Sequence, residues 1–331
     1  MGAFTDAFFR EQLLERRERL NSAMAVSRQG ENLVALLDEV DSALARLDQR
    51  TYGLCEACHE TVEKSRLLAD PLVRYCLDHL TAEQRRVLQD DLDLASQIQR
   101  ELLPLENLAL DGWQVAYHYR TLGAVSGDYC DVITSVEDGR DWFFVLGDAS
   151  GKGVAASMLM AHLHAIFRAL VATGLPTHQL VERASRVFCE STVSPYFATL
   201  VCGRARTSGE VELCNAGHCP PLLIQAGQVT RLEATGLPLG LFREGRYSVQ
   251  TLRLLPGDTL LLYTDGLTEA RNVADEEYGE ERLANVAGER HAPRPRSLLD
   301  ACLDDLSAFL SGTPLKDDLT LMAICRTNAK A

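Results

Sequence analysis

The sequence predicts an α+β protein: a sandwich of antiparallel β-sheets flanked by helices, preceded by a helical region that carries a small cysteine module. Three observations predict it. Residues 3–50 hold one Gly, no Pro and many Leu, Ala, Glu and Arg, which is helical usage. From Trp113 onward the texture changes to short apolar or alternating runs of strand type. Two long helical patterns interrupt those runs, so strands before and after them must pair without a regular βαβ alternation.

The elements follow in order. Residues 1–50 form an N-terminal helical or coiled-coil region. Within it Leu33, Leu37, Val40, Ala43/Leu44 and Leu47 recur at spacings of three and four, an apolar stripe that has to pack on something. Residues 51–80 lose the rhythm and hold the cysteines. Residues 81–104 are a helical linker, striped by Leu88, Leu92, Ala95, Ile98/Gln99 and Leu102 and ended by Pro104. Either stripe is satisfied by a hairpin within the chain or by a parallel coiled-coil dimer. Residues 105–328 form the β-rich domain. Its strands are expected at Gln114–Tyr119, Asp128–Thr134, Trp142–Leu146, Ala198–Arg204, Glu210–Asn215, Pro221–Ile224, Ser248–Leu254, Thr259–Tyr263 and Thr320–Cys325. Its helices are expected at Val154–Thr173, His178–Cys189, Gly279–Ala287 and Pro295–Leu310.

Composition narrows the function. Apolar residues at 46% and charged residues at 24% of 331 are globular values and exclude a mainly disordered chain. Thirty-three Lys and Arg against 47 Asp and Glu give a net charge of −14, which repels phosphodiester backbones; direct nucleic-acid binding is not expected. The first residues lack a basic segment followed by a long apolar core, and the stretch from Leu159 to Leu170 is broken by His162, His164 and Arg168. The expectation is a cytoplasmic protein with no membrane span. Ten cysteines in such a chain read as metal ligands and buried thiols before disulfides.

Cys55-Glu56-Ala57-Cys58 and Cys76-Leu77-Asp78-His79 are two ligand pairs separated by seventeen residues. Two such pairs close a tetrahedral Cys3His shell of the kind Zn²⁺ prefers, and with all four positions filled the ion is structural. A module of about 30 residues is too small to hold a core without the metal. Together with Tyr52-Gly53, Arg66-Leu67, Pro71 and Tyr75, these residues resemble the zinc finger of the DksA/TraR family over roughly residues 33–80, with His79 departing from its four-cysteine form. In that family an acidic coiled-coil tip enters an RNA polymerase channel. Asp38 and Asp41 match the tip in letters but lie on the helix leading into the finger, so they are read as a solvated face.

Four acidic clusters punctuate the β-rich region: Ser126-Gly127-Asp128-Tyr129-Cys130-Asp131, Gly147-Asp148-Ala149-Ser150-Gly151-Lys152-Gly153, Tyr263-Thr264-Asp265-Gly266 and Lys316-Asp317-Asp318-Leu319-Thr320. Each places a carboxylate at the end of an apolar strand, costly unless it is paired or binds a cation. No Arg or Lys stands regularly beside them, and hard oxygen ligands favour Mg²⁺ or Mn²⁺. Two such ions activate a water for in-line attack on phosphorus, so no Cys or Ser nucleophile is required.

These motifs, with Asn215-Ala216-Gly217-His218, Leu237-Pro238-Leu239-Gly240 and Glu269-Ala270, resemble the SpoIIE-type branch of the metal-dependent (PPM) serine/threonine phosphatases over about residues 90–328. The helix through Ile98-Gln99 to Leu102-Leu103-Pro104 is similar to the regulatory linker of stress-response phosphatases of the RsbU kind. The resemblance implies that Asp148 bridges two Mn²⁺ or Mg²⁺ ions with the carbonyl of Ala149 as a ligand. It assigns Asp265 and Asp317 to the first metal and Asp128 to the second, with Asp318 and Asp131 as runners-up. Asp148 and Asp265 are then catalytic, and His218 is a candidate acid for the leaving oxygen. Lys152 stands where this branch often has His and could attract the phosphate. The implied substrate is a phosphorylated protein, an anti-anti-sigma (STAS) regulator in a bacterial partner-switching pathway. The N-terminal module is then regulatory and dimerising, with the alternative that the chain is a non-catalytic zinc-finger adaptor acting on RNA polymerase or a sigma regulator.

Overall fold

The computed structural model describes residues 3–26, 31–80, 82–134, 141–192, 196–243, 245–289 and 294–328. The chain divides into two compact units, Met1–Asp91 and Leu92–Ala331.

In the first unit the helical reading of residues 3–50 resolves into α1 (Ala3–Val26) and α2 (Glu31–Asp48). Val40, Ala43, Leu44 and Leu47 of the expected stripe are buried against Phe9 and Leu13 of α1 and against Tyr52, Cys55, Val62 and Leu67 of the cysteine module. The stripe is therefore satisfied within the chain, and each of its Val and Leu side chains contributes about 1.5–3 kcal/mol on burial. A short α3 (Lys64–Ala69) completes the module. The linker helix α4 (Ala82–Glu101) runs through the boundary between the units. Along its stripe Leu88 and Ile98 are exposed, Leu92 and Ala95 are half-buried, and Gln99 is buried.

In the second unit two antiparallel sheets stack. The five-stranded sheet has the order β3 (Asp128–Thr134), β4 (Asp141–Ala149), β5 (Ala198–Arg206), β6 (Glu210–Ala216), β9 (Gln250–Arg253). The six-stranded sheet has the order β1 (Asn107–Leu110), β2 (Trp113–Arg120), β11 (Leu319–Arg326), β10 (Thr259–Tyr263), β7 (Leu222–Gln225), β8 (Gln228–Arg231). All nine expected strands form. The two missed ones, β1 and β8, are four-residue edge strands with exposed positions and little hydrophobic signal.

Side-chain alternation fills three layers. Trp113, Phe144, Leu146, Leu260, Leu262, Met322 and Ile324 form the core between the sheets. The other face of the five-stranded sheet is covered by α5 (Gly153–Val171) and α6 (Thr177–Ser191), through Met160, Leu163, Phe167, Leu180 and Phe188. The other face of the six-stranded sheet is covered by α8 (Glu280–Gly288) and α9 (Pro295–Leu310), through Leu283, Leu298, Leu299 and Leu306. Helix α5 is long and apolar enough to cross a membrane by length and composition. One face of it is buried on the sheet, as the helix expected from Leu159 to Leu170 requires.

Candidate active site

Strands β3 and β4 pair so that Asp128 lies directly opposite Asp148. Both belong to the face that looks between the sheets, because Cys130, Val132, Phe144 and Leu146 of the same alternation fill the inter-sheet core. Asp265 opens the one-turn helix α7 (Asp265–Thr268) directly after β10, and Asp317 and Asp318 directly precede β11. Strands β10 and β11 are neighbours, so four distant stretches of chain bring their carboxylates to one end of the sandwich.

Electrostatics record the convergence. Asp148 is pushed up to about 7, by burial first and then by the charges of Asp265, Asp317 and Asp318. Asp265 is raised by burial and then by Asp317. Asp128, fully buried, is raised by burial and then by Asp148. Its Oδ2 accepts from the hydroxyls of Thr264, at 3.1 Å, and Thr320. The threonines are locked to each other, with Thr320 N–H donating to Thr264 Oγ1 at 3.0 Å. A crowd of mutually repelling carboxylates with oxygen donors only is the set that hard dications fit.

Two glycines, quoted in the sequence motifs but given no role there, make the approach possible. A Cβ on Gly127 would stand 2.9 Å from the carbonyl of Ala149 and 3.2 Å from Asp148 Oδ1, filling the space beside the two groups expected to ligate metal. A Cβ on Gly266 would fall 1.8 Å from the carbonyl of Asp318, so α7 reaches the β11 end only with glycine there. Asp318 accepts from the N–H of Leu122 at 2.6 Å and of Gly127 at 3.1 Å, which fastens the 121–127 loop over the site.

The expectation that no basic residue accompanies the clusters is corrected at two positions. Lys152 Nζ donates to Asp317 Oδ2 at 2.7 Å. Asp131, on the opposite face of β3 from Asp128, is fully buried and gripped by Arg168 through two hydrogen bonds of 2.9 and 2.8 Å, with His164 Nε2 at 3.6 Å. Asp131 is thus committed to α5, because positions three apart on a strand point to opposite faces.

His218 is buried, and its Nδ1 pairs with the hydroxyl of Thr199, the residue opposite Asp148 on β5. Asn215 closes the turn, its Oδ1 accepting the His218 N–H at 2.8 Å. Burial pushes the imidazole down to about 4. These surroundings place His218 in a buried turn whose strand neighbour Thr199 lies opposite Asp148.

In the first unit the ligand atoms of Cys55, Cys58, Cys76 and His79 all lie within 4.8 Å of one another. Cys76 Sγ stands 3.8 Å from Cys58 Sγ and 3.3 Å from His79 Nδ1. His59, the rival histidine, is outside this group and holds a left-handed backbone, φ 59°, that turns the chain after Cys58. Three soft sulfurs and an imidazole nitrogen at this spacing fit a tetrahedral Zn²⁺. Asp41, one of the two acidic tip candidates, pairs with Arg17 at 3.3 Å.

Known proteins match both parts of the chain. Residues 50–78 match the prokaryotic dksA/traR C4-type zinc finger, a match that stops one residue short of His79. The chain is 27% identical over 191 residues to phosphoserine phosphatase RsbU of Bacillus subtilis (strain 168), covering 56% of this chain and 55% of that protein. Among solved structures it is similar to the RsbU and RsbW domains of Rv1364c from Mycobacterium tuberculosis, at 30% identity and TM-score 0.57 over 67% of this chain and 62% of that one. It shares its fold with the SiaA-PP2C domain of Pseudomonas aeruginosa, at 20% identity and TM-score 0.63 over 75% of this chain and 100% of that one. The chain spans about half the length of the curated relatives it matches. Residues 138–327, more than half of the chain, match the model of Stage II sporulation protein E, and the chain belongs to that SpoIIE family.

Proposed function

We propose that this chain is a phosphoprotein phosphatase that hydrolyses phosphoserine or phosphothreonine with two Mn²⁺ or Mg²⁺ ions. The observation that carries the reading is the meeting of Asp128, Asp148, Asp265 and Asp317 at one end of the sandwich, beside a space that Gly127 keeps clear. Asp148 would serve both ions and the Ala149 carbonyl one of them, with Asp265 and Asp317 on the first ion and Asp128 on the second. When bound, the ions supply Lewis acidity and lower the pKa of a water towards neutrality. The chain's own part is to hold the carboxylates together and fixed: Thr264 and Thr320 orient Asp128, Asp318 ties down the loop, and the buried sheet keeps the strand ends in register.

The same reading extends to partners. The name phosphoserine phosphatase RsbU supports a phosphoserine substrate; that this is a STAS-type phosphoprotein in the cytoplasm is the reading carried by the sequence resemblance. The organisation is 1–50 helical region, 51–80 zinc finger, 81–104 linker and 105–328 phosphatase domain, with the first module regulatory and dimerising. The linker reaches the site through Gln99, whose contacts with the Ser126 backbone fix the loop that begins β3.

The test is turnover of p-nitrophenyl phosphate with added Mn²⁺, wild type beside Asp148→Asn. Mn²⁺-dependent turnover that disappears in the variant supports the reading; absence of turnover in the wild-type chain leaves the zinc-finger adaptor in its place. A pull-down with the Asp148→Asn chain then identifies the phosphoprotein.

A further inference from the structure

Lys152 is the cation whose charge acts on both Asp148 and Asp265, and its ammonium donates to Asp317 Oδ2 at 2.7 Å and to the Lys316 carbonyl at 3.1 Å. Both partners stay open to water, with 63% of the Lys152 side chain and 47% of the Asp317 side chain exposed. An ion pair so exposed is weak, and a dication on the same carboxylate outcompetes it. Glycines set the backbone on either side of the lysine. It sits between Gly151 at φ 106° and Gly153 at φ 67°. A Cβ on Gly153 would meet nothing within 4 Å, and one on Gly151 would meet only the Tyr196 ring at 3.6 Å. Both glycines therefore serve backbone conformation, since neither is needed to make room for a neighbour. Lys152 is also the residue before the nineteen-residue α5, where an ammonium has no acceptor to offer the first N–H groups, and its side chain reaches Asp317 instead.

We infer that Lys152 is a phosphate-binding residue, released from Asp317 when a dication takes that carboxylate and then donating to the phosphoryl oxygens of the substrate. The inference rests on the phosphatase reading above. An ammonium is a compact point charge with three donors, suited to an anion whose orientation other ligands fix. Displacement also links the two events: the cation that completes the metal site frees the charge that recruits the anion.

The full-length chain is compared with Lys152→Met and Lys152→Arg, substitutions at an exposed position that circular dichroism should show to be folded. Calorimetric titration of Mn²⁺ should give an affinity at least threefold tighter for Lys152→Met than for wild type, because the competitor is gone; equal or weaker binding overturns displacement. Titration of inorganic phosphate into the Mg²⁺-loaded chains should give at least tenfold weaker binding for Lys152→Met, with Lys152→Arg intermediate. Equal phosphate affinity in all three overturns the phosphate role. With p-nitrophenyl phosphate, Lys152→Met should raise KM more than it lowers kcat. A wild-type chain without Mn²⁺-dependent turnover would sink the phosphatase reading itself, and the two binding titrations are read independently of it.

Discussion

Gln99 and the backbone of Ser126 hold each other through two hydrogen bonds: the side-chain amide donates to the Ser126 carbonyl at 2.7 Å, and its own oxygen accepts the Ser126 N–H at 2.9 Å. Ser126 Oγ in turn accepts the N–H of Asp128 at 3.0 Å, so a buried side chain of the linker helix is two bonds away from a candidate metal ligand. Replacing Gln99 with Leu should leave the buried Ser126 groups unsatisfied, at about 1–3 kcal/mol. The expected outcome is weaker Mn²⁺ binding and lower turnover with zinc content unchanged. Calorimetry and metal analysis check it, and unaltered Mn²⁺ affinity would separate the linker from the site.

Metal binding should depend on pH through Asp148. Its folded value, about 7, lies above its ordinary 3.8, so without dications the folded chain holds this proton more tightly than the unfolded chain does. The stabilisation from protonation is present below about 4 and is lost as pH rises through about 7. A dication binds the deprotonated carboxylate, so Mn²⁺ affinity should rise with pH through about 7. Thermal melts with and without Mn²⁺ from pH 5.5 to 8 should show the metal-induced rise in Tm growing with pH; a constant increment would contradict the coupling.

Gly127→Ala places a methyl group 2.9 Å from the Ala149 carbonyl and 3.2 Å from Asp148 Oδ1. Mn²⁺ affinity and kcat should both fall, by roughly the 10–100-fold typical of disturbed metal surroundings. A titration of turnover against Mn²⁺ reads this directly.

Asp131 and Asp128 should separate cleanly under mutation. Arg168→Met removes the guanidinium that balances the buried Asp131, leaving it the Tyr129 hydroxyl, the Val132 N–H and the nearby His164, and should cost about 2–4 kcal/mol in urea unfolding, discounted for the exposure of Arg168. Metal affinity should stay close to wild type. Asp128→Asn should do the reverse, weakening Mn²⁺ binding while leaving the unfolding midpoint of the metal-free chain little changed.

Zinc should hold the first unit together independently of catalytic dications. Metal analysis of the purified chain should give one zinc, and Cys76→Ser should lose it. A zinc chelator should expose Cys55, Cys58 and Cys76 to a thiol reagent. The other seven cysteines, five buried and two half-buried, should react far more slowly.

Much of this was legible in the chain itself. The nine expected strands, the helices α5, α6, α8 and α9 and the Cys3His spacing are local signals, fixed by alternation, apolar periodicity and ligand spacing. Asp148 and Asp265 could be marked because each follows an uninterrupted apolar strand. The preference for Asp128 over Asp131 rested on the family resemblance alone, since both lie in the same strand and only the packing of α5, with Arg168 on it, says which face is which. The roles of Gly127 and Gly266 were equally hidden, because a missing Cβ matters only against atoms supplied by β4 and by the turn before β11.

By itself the sequence determined the elements, the order of the modules, the chemistry of each ligand set and the resemblance to a phosphatase family, all properties of short stretches of side chains. Tertiary structure alone decided which stripe was covered from within the chain, which carboxylates meet, that Lys152 joins them and that His218 is buried beside Thr199. Those are contacts between residues far apart in the chain, set by strand register and burial, and no local pattern encodes them.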